Sequence, residues 1–101
     1  MKTVLVIVPT YNEAENIESL INYADKYLKK AMYTPRFLIV DDLSPDKTGD
    51  IVRKLSKNNP NIHLLSGEKQ GLGKAYVRGF KYALNNLNFD YVCVMSDVMR
   101  I

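Results

Sequence analysis

The chain has 101 residues, 47% hydrophobic and 25% charged. That balance belongs to one globular domain able to bury about two thirds of its unfolded surface, and it excludes disorder and low complexity. A single cysteine, Cys93, excludes an internal disulfide, and the formal net charge of +3 is spread without a dense basic block. No nucleic-acid partner is therefore expected, whereas attraction for an anionic small molecule such as a nucleotide fits.

Residues 3 to 8 are β-branched and apolar almost without a break, the pattern of a strand buried on both faces of a parallel sheet. Pro9 ends the run before it is long enough for a signal peptide or a membrane span, so the expected location is cytoplasmic, with a peripheral role at the cytoplasmic membrane face left open. Residues 13 to 30 carry helical spacing, with Ile17, Leu20, Ile21, Ala24 and Leu28 on one stripe. Asn12 stands as an N-cap and Glu15 as its capping-box partner. Residues 36 to 40 form a second strand ending at Asp41-Asp42, and Ser44-Pro45-Asp46 signals a turn and a cap. A shorter helix follows, with Ile51, Val52 and Leu55 inward, and stops at Asn58-Asn59-Pro60. Residues 62 to 65 form a short third strand, and residues 67 to 73 a glycine-containing loop. Leu72, Ala75, Tyr76, Gly79, Phe80, Ala83, Leu84 and Leu87 mark a third helical stripe. Residues 91 to 95 form a fourth strand in which Cys93 reads as a small core residue.

The order βαβαβαβ, with helical crossovers, predicts one α/β domain over residues 1–101: a Rossmann-like, three-layer parallel sheet. In such a sheet ligands bind at the carboxyl ends of the strands. The residues predicted there are Tyr11 and Glu13 after the first strand, Asp41 and Asp42 after the second, and Asp97 after the fourth. Converging carboxylates suit a divalent cation or the hydroxyls and ring nitrogens of a nucleotide. One of Asp41, Asp42 and Asp46 is expected to cap the following helix instead.

Gly71-Leu72-Gly73 with Lys69 and Lys74 fits neither a Walker A loop nor a dinucleotide fingerprint: the glycine spacing is wrong, Ala75 stands where Ser or Thr is required, and Tyr76 where the third glycine would be. Lys69 remains a residue able to meet a phosphate. His63 is isolated, and Ser44 and Ser66 have no base partner, so nucleophilic catalysis has no support. A receiver-like phosphoacceptor is disfavoured, because its paired acids follow the first strand, which here ends in Pro9-Thr10-Tyr11.

Three ordered segments resemble family 2 glycosyltransferases of the GT-A fold, and polyprenol- and dolichol-phosphate mannosyltransferases above all. They are Val8-Pro9-Thr10-Tyr11-Asn12-Glu13-Ala14-Glu15-Asn16-Ile17, Val40-Asp41-Asp42-Leu43-Ser44-Pro45-Asp46-Lys47-Thr48 and Lys69-Gln70-Gly71-Leu72-Gly73-Lys74-Ala75-Tyr76. Asp90-Tyr91-Val92-Cys93-Val94-Met95 resembles the strand leading to the family's metal motif. The likeness covers the whole chain but only the amino-terminal, nucleotide-binding half of the family's catalytic domain. It implies a nucleotide-sugar donor, GDP-mannose or UDP-glucose, bound with Mg2+ or Mn2+, and a polyprenyl phosphate acceptor. Pro9, Tyr11 and Glu13 match positions lining the nucleotide pocket, Asp42 and Asp41 the acid at the base or ribose, and Lys69 a basic residue near the donor phosphates.

The likeness is broken at two places. Where the family shows Met-Asp-Ala-Asp-Leu, this chain reads Met95-Ser96-Asp97-Val98-Met99, which leaves Asp97 as the metal ligand. Ser66 replaces the family's arginine before the Gly-Leu-Gly loop. The general base and acceptor site are expected beyond residue 101, as in a fragment or a truncated relative. A truncated, catalytically inactive nucleotide-binding or interaction remnant is the alternative reading. Self-association through the exposed edge of the fourth strand is also expected.

Overall fold

The computed structural model describes residues 1–42, 44–67 and 72–95. Seven elements alternate along the chain: β1 (Thr3–Thr10), α1 (Ile17–Lys30), β2 (Thr34–Asp41), α2 (Thr48–Asn58), β3 (Ile62–Ser66), α3 (Leu72–Asn86) and β4 (Tyr91–Val94). The four strands form one sheet in the order β3-β2-β1-β4, and every pairing is parallel. The predicted α/β, Rossmann-like three-layer fold is what the chain adopts.

The sheet divides the core in two, as the period-2 alternation of side chains requires. Val4, Val6, Val8, Phe37, Ile39 and Ile62 pack with Ile17, Ile21 and Ala24 of α1 and Val52 of α2. Leu5, Ile7, Leu38 and Val40 face the other way, against Ala75 and Ala83 of α3. β1 is one of the two interior strands and is buried from Val4 to Thr10, which is why its sequence reads as a continuous apolar run rather than an alternation.

α3 meets the sheet through its smallest residues. A Cβ on Gly79 would stand 2.9 Å from Val40 Cγ2 and 3.1 Å from Ile7 Cγ2, so only glycine lets the helix approach this closely. The consequence corrects two expectations. Phe80 and Leu84, placed on the inward stripe by spacing, are 37% and 74% exposed, because the Ala75-Gly79-Ala83 line claims the sheet-facing side. Cys93 is likewise exposed rather than in the core. β4 is an edge strand, and all four of its residues are exposed.

The start of α1 also differs from expectation. Asn12 does not cap the helix: it adopts a left-handed conformation, φ 59°, which asparagine tolerates better than most residues. The helix begins at Ile17, with Asn16 in the cap position making no side-chain cap bond. Residues 13 to 16 form a turn in which the Glu13 carbonyl accepts from Asn16 and Ile17. The N–H groups of residues 12 to 14 are taken by acceptors of the segment between β2 and α2.

Candidate nucleotide site

The chain steps from β1 to β2 on one side and reaches β4 on the other, so the strand order reverses beside β1. Open parallel sheets bind ligands in the crevice at such a reversal, outside the carboxyl ends of the strands. Pro9 helps open it. The carbonyls of Thr3 and Ile7 accept from Asp90 and Met95, so the odd-numbered residues of β1 turn their backbone groups toward β4. The next donor in that ladder would be the nitrogen of Pro9, which carries no hydrogen. The β1–β4 register accordingly stops at Ile7 opposite Val94, while β1–β2 pairing continues to Thr10 opposite Asp41.

The loop after β1 is fastened to the loop after β2 by three hydrogen bonds. The backbone N–H of Asn12 donates to Ser44 Oγ at 2.9 Å, that of Glu13 to Thr48 Oγ1 at 3.0 Å, and that of Ala14 to an Asp46 carboxylate oxygen at 3.0 Å. Asp46 also accepts from the Thr48 hydroxyl and backbone N–H, making it the acid that caps α2. Burial pushes the Asp46 carboxyl up, but these bonds from Thr48 and Ala14 outweigh it and hold the group below its ordinary value. The same bonds fix the loop that carries Tyr11 and Glu13, in which Tyr11 is partly exposed and Glu13 is buried.

The two adjacent aspartates point to opposite faces of the sheet and do different work. Asp41 faces α2 and is 2% exposed. Its Oδ1 accepts from the hydroxyls of Thr10 at 2.7 Å and Ser44 at 2.6 Å, and its Oδ2 from the Ser44 backbone N–H at 2.9 Å. Asp42 faces α3, where its Oδ1 accepts from Arg78 Nη2 at 3.1 Å. Sequence reasoning missed Arg78, Ser44 and Thr48. The hydroxyls carried a signal, two Ser/Thr residues spaced around Asp46 in a turn, but Arg78 is 36 residues from its partner and left none.

Lys69 and Asp97 lie outside the described residues. Among the described residues no three His, Cys, Asp or Glu side chains stand close enough to hold a metal ion. Asp41 accepts at both oxygens from hydroxyl and amide donors, and Asp42 at one oxygen from a guanidinium. A cavity of about 270 Å³ lies at the carboxyl ends of β2 and β3 against α2, away from the β1–β4 crevice, lined by Asp41, Ser44, Lys47, Arg53 and Ser66 among others.

Comparison with known proteins bears on the family and the fold. The family model described as glycosyl transferase family 2 matches residues 5–97. A dolichol-phosphate mannosyltransferase of Pyrococcus furiosus is 41% identical over 97 residues, 96% of this chain and 26% of that protein. An undecaprenyl-phosphate mannosyltransferase of Micrococcus luteus is 40% identical over 80% of this chain and 32% of its own length. Among solved structures, a mannosyltransferase from Pyrobaculum calidifontis in complex with GDP-Man and Mn2+ superposes with a TM-score of 0.62 at 28% identity, covering 92% of this chain and 26% of that one. The chain thus spans between a quarter and a third of the length of these relatives.

Proposed function

The chain belongs to glycosyl transferase family 2, and from that membership we propose that it forms the donor-binding half of an enzyme transferring mannose from GDP-mannose to a polyprenyl phosphate. One observation supports the reading: Pro9, Tyr11 and Glu13 end or follow β1, and Asp41 and Asp42 end or follow β2, so these residues lie at the carboxyl ends of two neighbouring parallel strands, next to the reversal of the sheet. The donor's base or ribose lies against Asp42, its ring against Tyr11, and its phosphates toward Lys69. The chemistry such a pocket supplies is orientation and a fixed acceptor for the nucleoside. The bond-breaking step needs stabilisation of a departing diphosphate. Mg2+ or Mn2+ held in part by Asp97 would supply it, in keeping with the Mn2+ complex of the Pyrobaculum relative. A lipid acceptor, supported by the polyprenyl substrates in the relatives' names, puts the reaction at the cytoplasmic membrane surface.

Calorimetry with GDP-mannose, GDP, UDP-glucose and UDP, each with and without Mn2+, tests the reading. Saturable binding of a guanine nucleotide is expected, and absence of binding to all four at millimolar concentration overturns it. A second reading is favoured by Ser96 and Val98, which stand where the resembling family carries acids: a nucleotide-binding module without turnover. Binding without release of GDP from GDP-mannose would select it.

We also propose that two copies associate through β4. Val92 and Val94 are exposed, and no charged residue interrupts Tyr91–Val94. Such an uncharged edge is a template for a further strand.

A further inference from the structure

Three elements meet at the guanidinium of Arg78. It extends from α3 to the carboxyl edge of the sheet, where Nη2 donates to Asp42 Oδ1 at 3.1 Å, with the two side chains 25% and 9% exposed. Gly67, the residue after β3, leaves room for it: a Cβ there would stand 2.9 Å from Arg78 Cζ and 3.0 Å from both Nε and Nη2. The Gly67 N–H donates to the Asp41 carbonyl at 3.1 Å, which pins this backbone against the tip of β2. The neighbouring acid cannot share the task, since both Asp41 oxygens are occupied by Thr10 and Ser44. Asp42 is therefore the acid of the pair left to meet a ligand, and among the described residues its carboxylate accepts from Arg78 at one oxygen.

Resting on the donor-site reading above, we infer that Arg78 is a positioning residue for nucleotide recognition: it fixes the carboxylate of Asp42 so that the other oxygen accepts from the base or ribose of the donor. A carboxylate anchored at one oxygen by a charged donor loses rotational freedom about its last bond, and the ligand then meets a preset acceptor. Gly67 belongs to the same device, because any side chain there displaces the guanidinium.

The device is tested by a double-mutant cycle on GDP binding, with the melting temperature of every variant recorded alongside. Arg78→Met is expected to weaken GDP binding about tenfold and to have no further effect in an Asp42→Asn background, the non-additivity expected of coupled residues. Arg78→Lys restores the charge without the fork and should recover only part of the loss. Gly67→Ala, which moves the guanidinium without deleting it, should reproduce the loss in the Asp42 protein and be silent in Asp42→Asn. It keeps the test decisive if Arg78→Met fails to fold. Wild-type binding with effects of Arg78→Met or Gly67→Ala that persist in Asp42→Asn, or with no effect at all, overturns this inference alone. Absence of wild-type binding overturns it together with the donor-site reading.

Discussion

Thr48, at the first position of α2, accepts the backbone N–H of Glu13 at 3.0 Å across 35 residues of sequence. The loop after β1, with Tyr11 and Glu13, is thereby fixed by the helix that follows β2. Thr48 is fully buried, so its hydroxyl has no water to replace it. Thr48→Val keeps the shape but removes the acceptor, leaving the Glu13 N–H unsatisfied. A loss of about 1–3 kcal/mol in denaturant unfolding is expected, with weaker nucleotide binding as the loop loosens.

The two aspartates should separate stability from binding. Asp41→Asn puts an amide donor among the donors of Thr10 and Ser44, and unfolding should show a loss of about 1–3 kcal/mol. Asp42→Asn disrupts a pair whose arginine retains access to solvent, so stability should change by less, while nucleotide affinity falls further than in Asp41→Asn. Equal effects of both variants on both measurements would refute this division.

Glycines at two positions of α3 make opposite predictions. Gly79→Ala gains about 1 kcal/mol of helix propensity, but its methyl group would meet Val40 and Ile7 at 2.9 and 3.1 Å. Overpacking costs about 1–3 kcal/mol, so net destabilisation is expected. A methyl group at Gly73 meets nothing within 4 Å, and Gly73→Ala should stabilise by up to about 1 kcal/mol. Thermal unfolding of the pair measures both.

Acid should weaken the fold in two steps. Burial, and then the nearby Arg36 charge, hold His63 below its ordinary value of 6.5, so the folded state favours the neutral ring. Its contribution is complete above about pH 6.5 and is lost as pH falls toward the depressed folded value. His63→Gln should flatten stability in that window. The Asp46 carboxyl is also held down, from 3.8; it contributes fully above that value and is lost as pH falls through the folded one. Asp46→Asn should remove the lower step and reduce stability at neutral pH.

β4 pairing between copies has a geometric signature. The backbone of Cys93 faces β1, so Val92 and Val94 carry the outward N–H and C=O groups. A two-fold antiparallel pairing that keeps each face continuous is centred on a residue, Val92 or Cys93. Light scattering should show a dimer, Val92→Lys should return it to monomer, and mild oxidation should cross-link Cys93 if the dyad passes through it. A monomer at high concentration would refute the pairing.

Local chemistry decided much of this protein before any contact was considered. The β-branched run at residues 3 to 8 has to be a strand buried on both sides, and the stripe from Ile17 to Leu28 has to be an amphipathic helix. The strand–helix alternation then leaves a parallel sheet as the economical fold, and its strand tips hold Tyr11, Glu13, Asp41 and Asp42. These signals were legible because each depends on neighbours within a few residues. The tertiary structure decided whatever depends on partners distant in the chain. Asn12 stands outside the helix in a left-handed conformation, its N–H bonded to Ser44 from a loop 32 residues away. Phe80 and Leu84 face outward because Gly79 lets α3 settle on its small side against Val40 and Ile7. Asp41 and Asp42, identical and adjacent in sequence, acquire different partners because side chains alternate across a sheet, which sends one to Thr10 and Ser44 and the other to Arg78.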